Sequence, residues 1–118
     1  MTHGFEVLPV EHQPVVYLRD WAILQHIDEK TGPHTFLWGT TGGVFDWRKS
    51  SELKLLSFNL EQKGDDPWLY EARTQSGRKY LLTAYSEEDV YPLGVMKGHV
   101  ENVTRDWLNS LYNAARAL

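Results

Sequence analysis

Five histidines, at positions 3, 12, 26, 34 and 99, are the first residues of this chain to test for chemistry. Imidazole is the commonest protein metal ligand and the side chain that titrates nearest neutral pH. A histidine metal site announces itself by spacing, as when two histidines lie four apart on one helix face, and no such pair occurs here. His26, Asp28 and His34 flank a single turn, but their spacing does not define a ligand set, so no metal is expected. The absence of cysteine removes disulfides, thiol catalysis and thiolate zinc sites together. The glycine-rich run Gly39-Thr40-Thr41-Gly42-Gly43 is followed by Val44, where a phosphate-cradling loop needs Gly-Lys-Ser/Thr, and no Gly-x-Gly-x-x-Gly is present. It reads as a turn that needs positive φ. No Gly-x-Ser-x-Gly elbow marks a nucleophile, and Ser50-Ser51 reads as a pair of hydroxyls bonded to nearby backbone. No cofactor is implied.

Carboxylates that could pair for acid–base work are present, among them Asp46, Glu52, Glu61 and Glu71, but nothing in their spacing selects two. The aromatic set is more informative: Trp21, Trp38, Trp47, Trp68 and Trp107, with six tyrosines and four phenylalanines. Most of these belong in strands and in the core of a small domain. Trp38 and Trp47 bracket the glycine run, with Asp46 and Arg48 beside Trp47 and His34 upstream. An aromatic wall with one acid and one base is the make-up of a small-ligand or protein-partner site. Trp38, Asp46, Trp47, Arg48 and His34 are therefore the candidate binding residues.

Charge narrows the partners. Twelve Lys and Arg face sixteen Asp and Glu, a net charge of −4, and the basic residues are scattered. A binder that depends on phosphate neutralisation presents a basic face, so nucleic acid is not the expected partner. No apolar run approaches the roughly 18 residues of a membrane span, and the first residues lack the basic and apolar regions of a secretory signal. A cytoplasmic protein without membrane contact is expected. Its 118 residues make one domain, and 42% hydrophobic with 24% charged residues is globular composition.

The elements that must position these groups follow from periodicity. The first dozen residues, interrupted by Pro9, read as a short edge strand or a packed arm. Residues 15–25 are β-branched and aromatic, with Arg19-Asp20 marking a bulge or bend. Residues 28–33 form a turn, and the next strand, from His34 to Trp38, stops at the glycines. Residues 52–61 form a strand with Leu56, Phe58 and Leu60 on one face and Leu53, Leu55, Ser57 and Asn59 on the other. A hairpin then runs from Trp68 to Thr74 and returns from Lys79 to Tyr85, with Ser76-Gly77 as a two-residue loop that sets Thr74 opposite Lys79. Ser86 caps a short helical turn at Glu87-Glu88-Asp89. Beyond Gly98, the apolar positions Val100, Val103, Trp107, Leu111, Ala114 and Leu118 trace one stripe of an amphipathic helix.

These elements define an α+β domain. A strongly bent antiparallel sheet of five to six strands, readable also as a partly open barrel, carries a C-terminal amphipathic helix packed on it. A sheet with two partly apolar faces and a single helix leaves apolar surface uncovered, which points to a homodimer. The segments Ser50-Ser51-Glu52-Leu53 and Arg73-Thr74-Gln75-Ser76-Gly77-Arg78-Lys79-Tyr80-Leu81-Leu82, with Leu18-Arg19-Asp20-Trp21-Ala22-Ile23 upstream, resemble a pattern in small uncharacterised bacterial proteins. Those proteins are carried on mobile gene cassettes such as integrons or on phage-derived elements. The resemblance covers residues 15–85, implies a compact cytoplasmic domain and carries over no catalytic residue. The expected function is a non-enzymatic binding or interaction module, homodimeric, whose aromatic surface engages a host protein or a small apolar molecule. The alternative is a small hydrolase or isomerase drawing its acid and base from Asp46, His34 or Glu71.

Overall fold

The computed structural model describes residues 13–42, 46–87 and 99–117. Their elements are β1 (Val16–Asp28), β2 (Gly32–Thr40), β3 (Trp47–Phe58), β4 (Tyr70–Thr74), β5 (Lys79–Leu82), β6 (His99–Asn102) and α1 (Thr104–Arg116). The expected arm in the first dozen residues and the expected turn at Glu87-Glu88-Asp89 lie wholly or partly outside the described residues.

The class is α+β, as the periodicity predicts. Consecutive strands β1 to β5 pair in order, and β5 returns to β1, so five strands form a ring with β6 attached outside it. Most pairings are antiparallel. The ring is completed by a parallel one, in which Val16, Tyr17 and Leu18 of β1 face Tyr80, Leu81 and Leu82 of β5.

A ring this small requires long strands that bend, and β1 bends at the position its sequence marks. The register against β2 slips between Arg19 and Ala22, and Asp20 takes φ 48°. An aspartate tolerates this left-handed conformation better than a branched residue would. Val16 to Leu18 of β1 pair with β5, Arg19 pairs with Thr40 of β2, and after the bulge β1 lies between β2 and β6. β3 divides in the same way, its first half pairing with β2 and its second with β4.

Side chains from all five ring strands meet in one core: Val16, Leu18, Trp21 and Ile23 of β1, Leu37, Leu53, Leu56, Tyr70, Ala72, Tyr80 and Leu82, with Leu108 of α1. The Trp21 indole donates to the Thr83 carbonyl at 2.8 Å, which satisfies the one polar atom that this large buried side chain brings inside. A second, smaller cluster forms on the other side of the sheet from Ala22, Leu24 and Phe36, with Trp38, Tyr85 and Val100 against it.

Several local expectations change. β2 runs on through Gly39 to Thr40 instead of stopping at the glycines. Gly39 is buried there because its missing Cβ lets the chain approach β1: a Cβ would lie 3.1 Å from both the Arg19 carbonyl and the Trp21 Cβ. In β3 the register against β4 slips between Leu53 and Leu55, which reverses the alternation. Leu53 and Leu56 therefore both enter the core, Leu55 is 54% exposed, and Leu60 lies beyond the strand and is 94% exposed. The hairpin pairs Arg73, not Thr74, with Lys79. The Gly77 amide bonds to the Thr74 carbonyl at 2.8 Å and Gly77 takes φ 84°, so the loop is a turn followed by a left-handed glycine rather than a two-residue loop. Val100 belongs to β6, and the helix begins only at Thr104. Its buried residues are Thr104 and Leu108, with Val103, Trp107 and Leu111 partly buried against the core.

Candidate functional site

Strand alternation decides which of the candidate residues share a surface. Trp38 lies opposite Lys49 and Thr40 lies opposite Trp47 in the β2–β3 ladder, so these four project from one face. Trp38 and Trp47 stack with ring centroids 5.7 Å apart and planes 13° from parallel. The Lys49 ammonium lies over the Phe36 ring, 4.6 Å from its centroid. His34 continues the row: its Nδ1 is 3.5 Å from Glu52 Oε1, and its Nε2 is 2.8 Å from the Thr31 hydroxyl. The Lys54 ammonium holds the Glu52 carboxyl below the usual range, with His34 adding to the effect. The result is a strip along β2 and β3, aromatic at the Trp38–Trp47 end and charged at the His34–Glu52 end. A cleft of about 450 Å³ opens over the charged end between Phe36, Lys49, Ser51 and His26.

The strip's backbone is shaped by Ser50. Its hydroxyl is buried, accepts the Leu37 amide at 2.8 Å and donates to the Ser51 carbonyl at 2.6 Å. It thereby stands in for a ladder acceptor where the register slips between Phe36 and Trp38. Only the bond to Ser51 is the local backbone bonding expected of the Ser50-Ser51 pair; the Leu37 bond crosses strands, and the Ser51 hydroxyl meets Ser76 instead.

Trp38 is half-buried and packs against the Ala22–Leu24–Phe36 cluster, yet its indole Nε1 is buried with no hydrogen-bond partner among the described residues. An unpartnered buried donor costs stability and is uncommon in folded proteins.

The remaining candidates separate. Arg48 follows Trp47 and projects from the opposite face, into a different cleft with Tyr17 and Arg78. Asp46 is exposed at the loop end, where its carbonyl accepts the Thr41 amide at 3.1 Å. Glu71 is on β4 and is held by Lys79 at 3.1 Å and Arg73 at 3.5 Å. Asp46, His34 and Glu71 thus occupy three places, each with its own partners, and make no common acid–base centre. His26 and His34 are directly opposed in the β1–β2 ladder. Among the described residues no three His, Asp or Glu side chains converge in a way that could hold a metal ion.

Lys49 and Phe36 are members of the strip that sequence spacing did not select. The cross-strand register brings them together, and register depends on the bulge at Ser50. Among the described residues no helix is long and apolar enough to cross a membrane. Comparison with family models, curated proteins and solved structures finds no match to this chain.

Proposed function

We propose that this chain is a cytoplasmic, non-enzymatic binding module whose Trp38–Trp47 stack receives an apolar planar group from a small molecule or from a host protein. The observation that carries the reading is the stack itself, set beside the Lys49–Phe36 pair on one strip. Large rigid rings give contact area at small conformational cost, and aromatic side chains are enriched in the centres of binding surfaces. The unpartnered Trp38 Nε1 supports the same reading, because a ligand acceptor that reaches it on parting the stack recovers a hydrogen bond missing from the free protein.

We also propose that the module acts as a homodimer. Support comes from apolar surface left uncovered: Leu55 and Leu60 are exposed, and a groove of about 560 Å³ between Phe58, Leu60, Leu111 and Ala115 lies beside them. A second copy covering this surface would remove it from water.

Native mass spectrometry of protein purified gently from a bacterial lysate tests both statements. The expected result is a peak at twice 13.7 kDa, with a retained mass or partner that is lost on Trp47→Ala and kept on Asp46→Asn or Glu71→Gln. A bare monomer overturns the dimer. Retention that is unchanged in Trp47→Ala, or that is lost in the amide variants, overturns the site.

A further inference from the structure

Arg48 and Arg78 line one cleft of about 290 Å³, walled by Val15, Tyr17 and Thr41 where the start of β1, the β2–β3 loop and the β4–β5 turn meet. The two arginines come from different hairpins, and each is brought there by its own register, Arg48 opposite Gly39 and Arg78 beside the Arg73–Lys79 pair.

Most other cations of the described residues are matched. Lys54, Arg73, Lys79 and Arg105 are each matched to a glutamate. Arg19 and Lys49 lie over aromatic rings. Arg48 and Arg78 have neither a carboxylate nor a ring among the described residues, in a chain where acids outnumber bases by sixteen to twelve. Both act on Tyr80, whose side chain is buried and whose phenol is pushed up by that burial while the two guanidiniums pull it down. Two cations of one cleft therefore act on the same phenol, with no carboxylate paired to either among the described residues.

A guanidinium offers a planar fork of donors that matches an oxyanion, and two forks from opposite sides match one with several oxygens. A carboxylate would neutralise one of the two charges. A phosphate monoester, carrying about −1.5 to −2 at neutral pH, would neutralise both. The cleft is at the lower limit of ligand-sized pockets, roughly 300 Å³, which suits a small molecule rather than a polymer. Tyr17 also lines the cleft; it is 46% exposed, and its ring lies edge-on against Trp68 with centroids 4.9 Å apart. We infer that this cleft is a phosphate-monoester site, in which Arg48 and Arg78 clamp the phosphate and Tyr17 flanks a planar body attached to it. The site lies across β3 from the Trp38–Trp47 strip and does not depend on it.

Isothermal titration of the full chain with inorganic phosphate, and separately with a nucleoside monophosphate, tests the inference against chloride at matched ionic strength. Saturable binding of both is expected, tighter for the monophosphate, and weakened about tenfold or more by Arg48→Gln or Arg78→Gln. Arg78→Lys keeps the charge but removes the fork, and is expected to weaken binding as well. Tyr17→Ala should erase only the preference for the monophosphate. No saturable binding, or equal binding in Arg48→Gln, overturns the site. Arg48 is exposed, so that variant reports even if Arg78→Gln fails to fold. Equal affinity for phosphate and monophosphate overturns the role given to Tyr17 and makes inorganic phosphate the ligand.

Discussion

The Thr104 hydroxyl accepts the Ile23 amide at 2.8 Å, across 81 residues of sequence. The neighbouring Val103 amide donates to the Ile23 carbonyl at 2.9 Å, so the chain between β6 and α1 serves Ile23 as a strand would. Thr104 is fully buried, and its own amide is taken by Asn102 Oδ1 at 2.9 Å. Through these bonds the start of the helix is fixed to the central strand before its apolar side meets the core. Thr104→Val keeps the shape but leaves the Ile23 amide buried and unpaired. It should destabilise the domain by about 1–3 kcal/mol, measured as a shift in urea midpoint with an unchanged slope.

Gly39 is expected to refuse even one methyl group. Its Cβ would meet the Arg19 carbonyl and the Trp21 backbone at 3.1–3.2 Å, and neither is a flexible side-chain end. Gly39→Ala should therefore force β1 and β2 apart next to the buried Trp21, at a cost of about 1–3 kcal/mol. Gly64→Ala provides the contrast: no atom lies near its Cβ, and the strain comes from φ 56° alone, worth about 1–2 kcal/mol. Thermal unfolding of the two variants, with near-ultraviolet circular dichroism to report Trp21, separates them. Only Gly39→Ala should change the aromatic signal.

What could be read from the chain without its structure was set by range. The bend at Arg19-Asp20 is a local conflict between an apolar run and two charges, and it appears where expected. The α+β class follows from a change of period, which is also local. In residues 52–61 Leu56 and Phe58 share the core side as expected, but Leu53 joins them because a bulge at Lys54 reverses the alternation, and a bulge is a property of two strands, not one. The helix start failed for a related reason. Val100 fits a helical stripe by spacing, but β1 offers a free edge at Leu24–Ile27 that takes residues 99–102 as β6. Leu108 falls outside the expected stripe because that stripe takes one residue per turn, whereas the buried arc is wider and holds Thr104 and Leu108 beside Trp107 and Leu111. The Trp38–Trp47 neighbourhood was readable because both rings flank one loop. That Arg48 faces away follows from alternation once Trp47 is known to begin β3, and a strand start inside a glycine-rich region has no clear sequence signal.

Ser50 supports the strip without touching a ligand, and its removal should show this. Ser50→Ala takes away the acceptor for the Leu37 amide at a buried position. Loss of about 1–3 kcal/mol is expected from the unpaired amide. Because the register slip beside Trp38 rests on this bond, hydrogen exchange at the Leu37 amide should accelerate more than exchange at the Leu82 amide, which lies in the distant β5 strand. Equal acceleration at both would show that Ser50 contributes only to global stability.

The Tyr70 and Tyr112 hydroxyls share a hydrogen bond of 2.7 Å between β4 and α1. Burial, and then the neighbouring phenol, raise the Tyr70 phenol well above its ordinary value of 10.0. Burial raises Tyr80 as well. The sign follows from linkage: a group whose folded pKa is raised contributes fully below its unfolded pKa and ceases to contribute as pH rises through the folded one. Between those values the unfolded chain ionises while the folded chain keeps its protons, so folding stability should fall steadily as pH rises above 10. Tyr70→Phe removes one titrating group and the bond to Tyr112. At neutral pH it should lose about 1 kcal/mol, the net worth of a hydrogen bond. Above pH 10 its stability should fall less steeply than that of the unaltered chain, with Tyr80 accounting for the slope that remains. Urea midpoints measured from neutral pH into the alkaline range give both quantities. Parallel curves for the two proteins would place the titrating phenol elsewhere than at Tyr70.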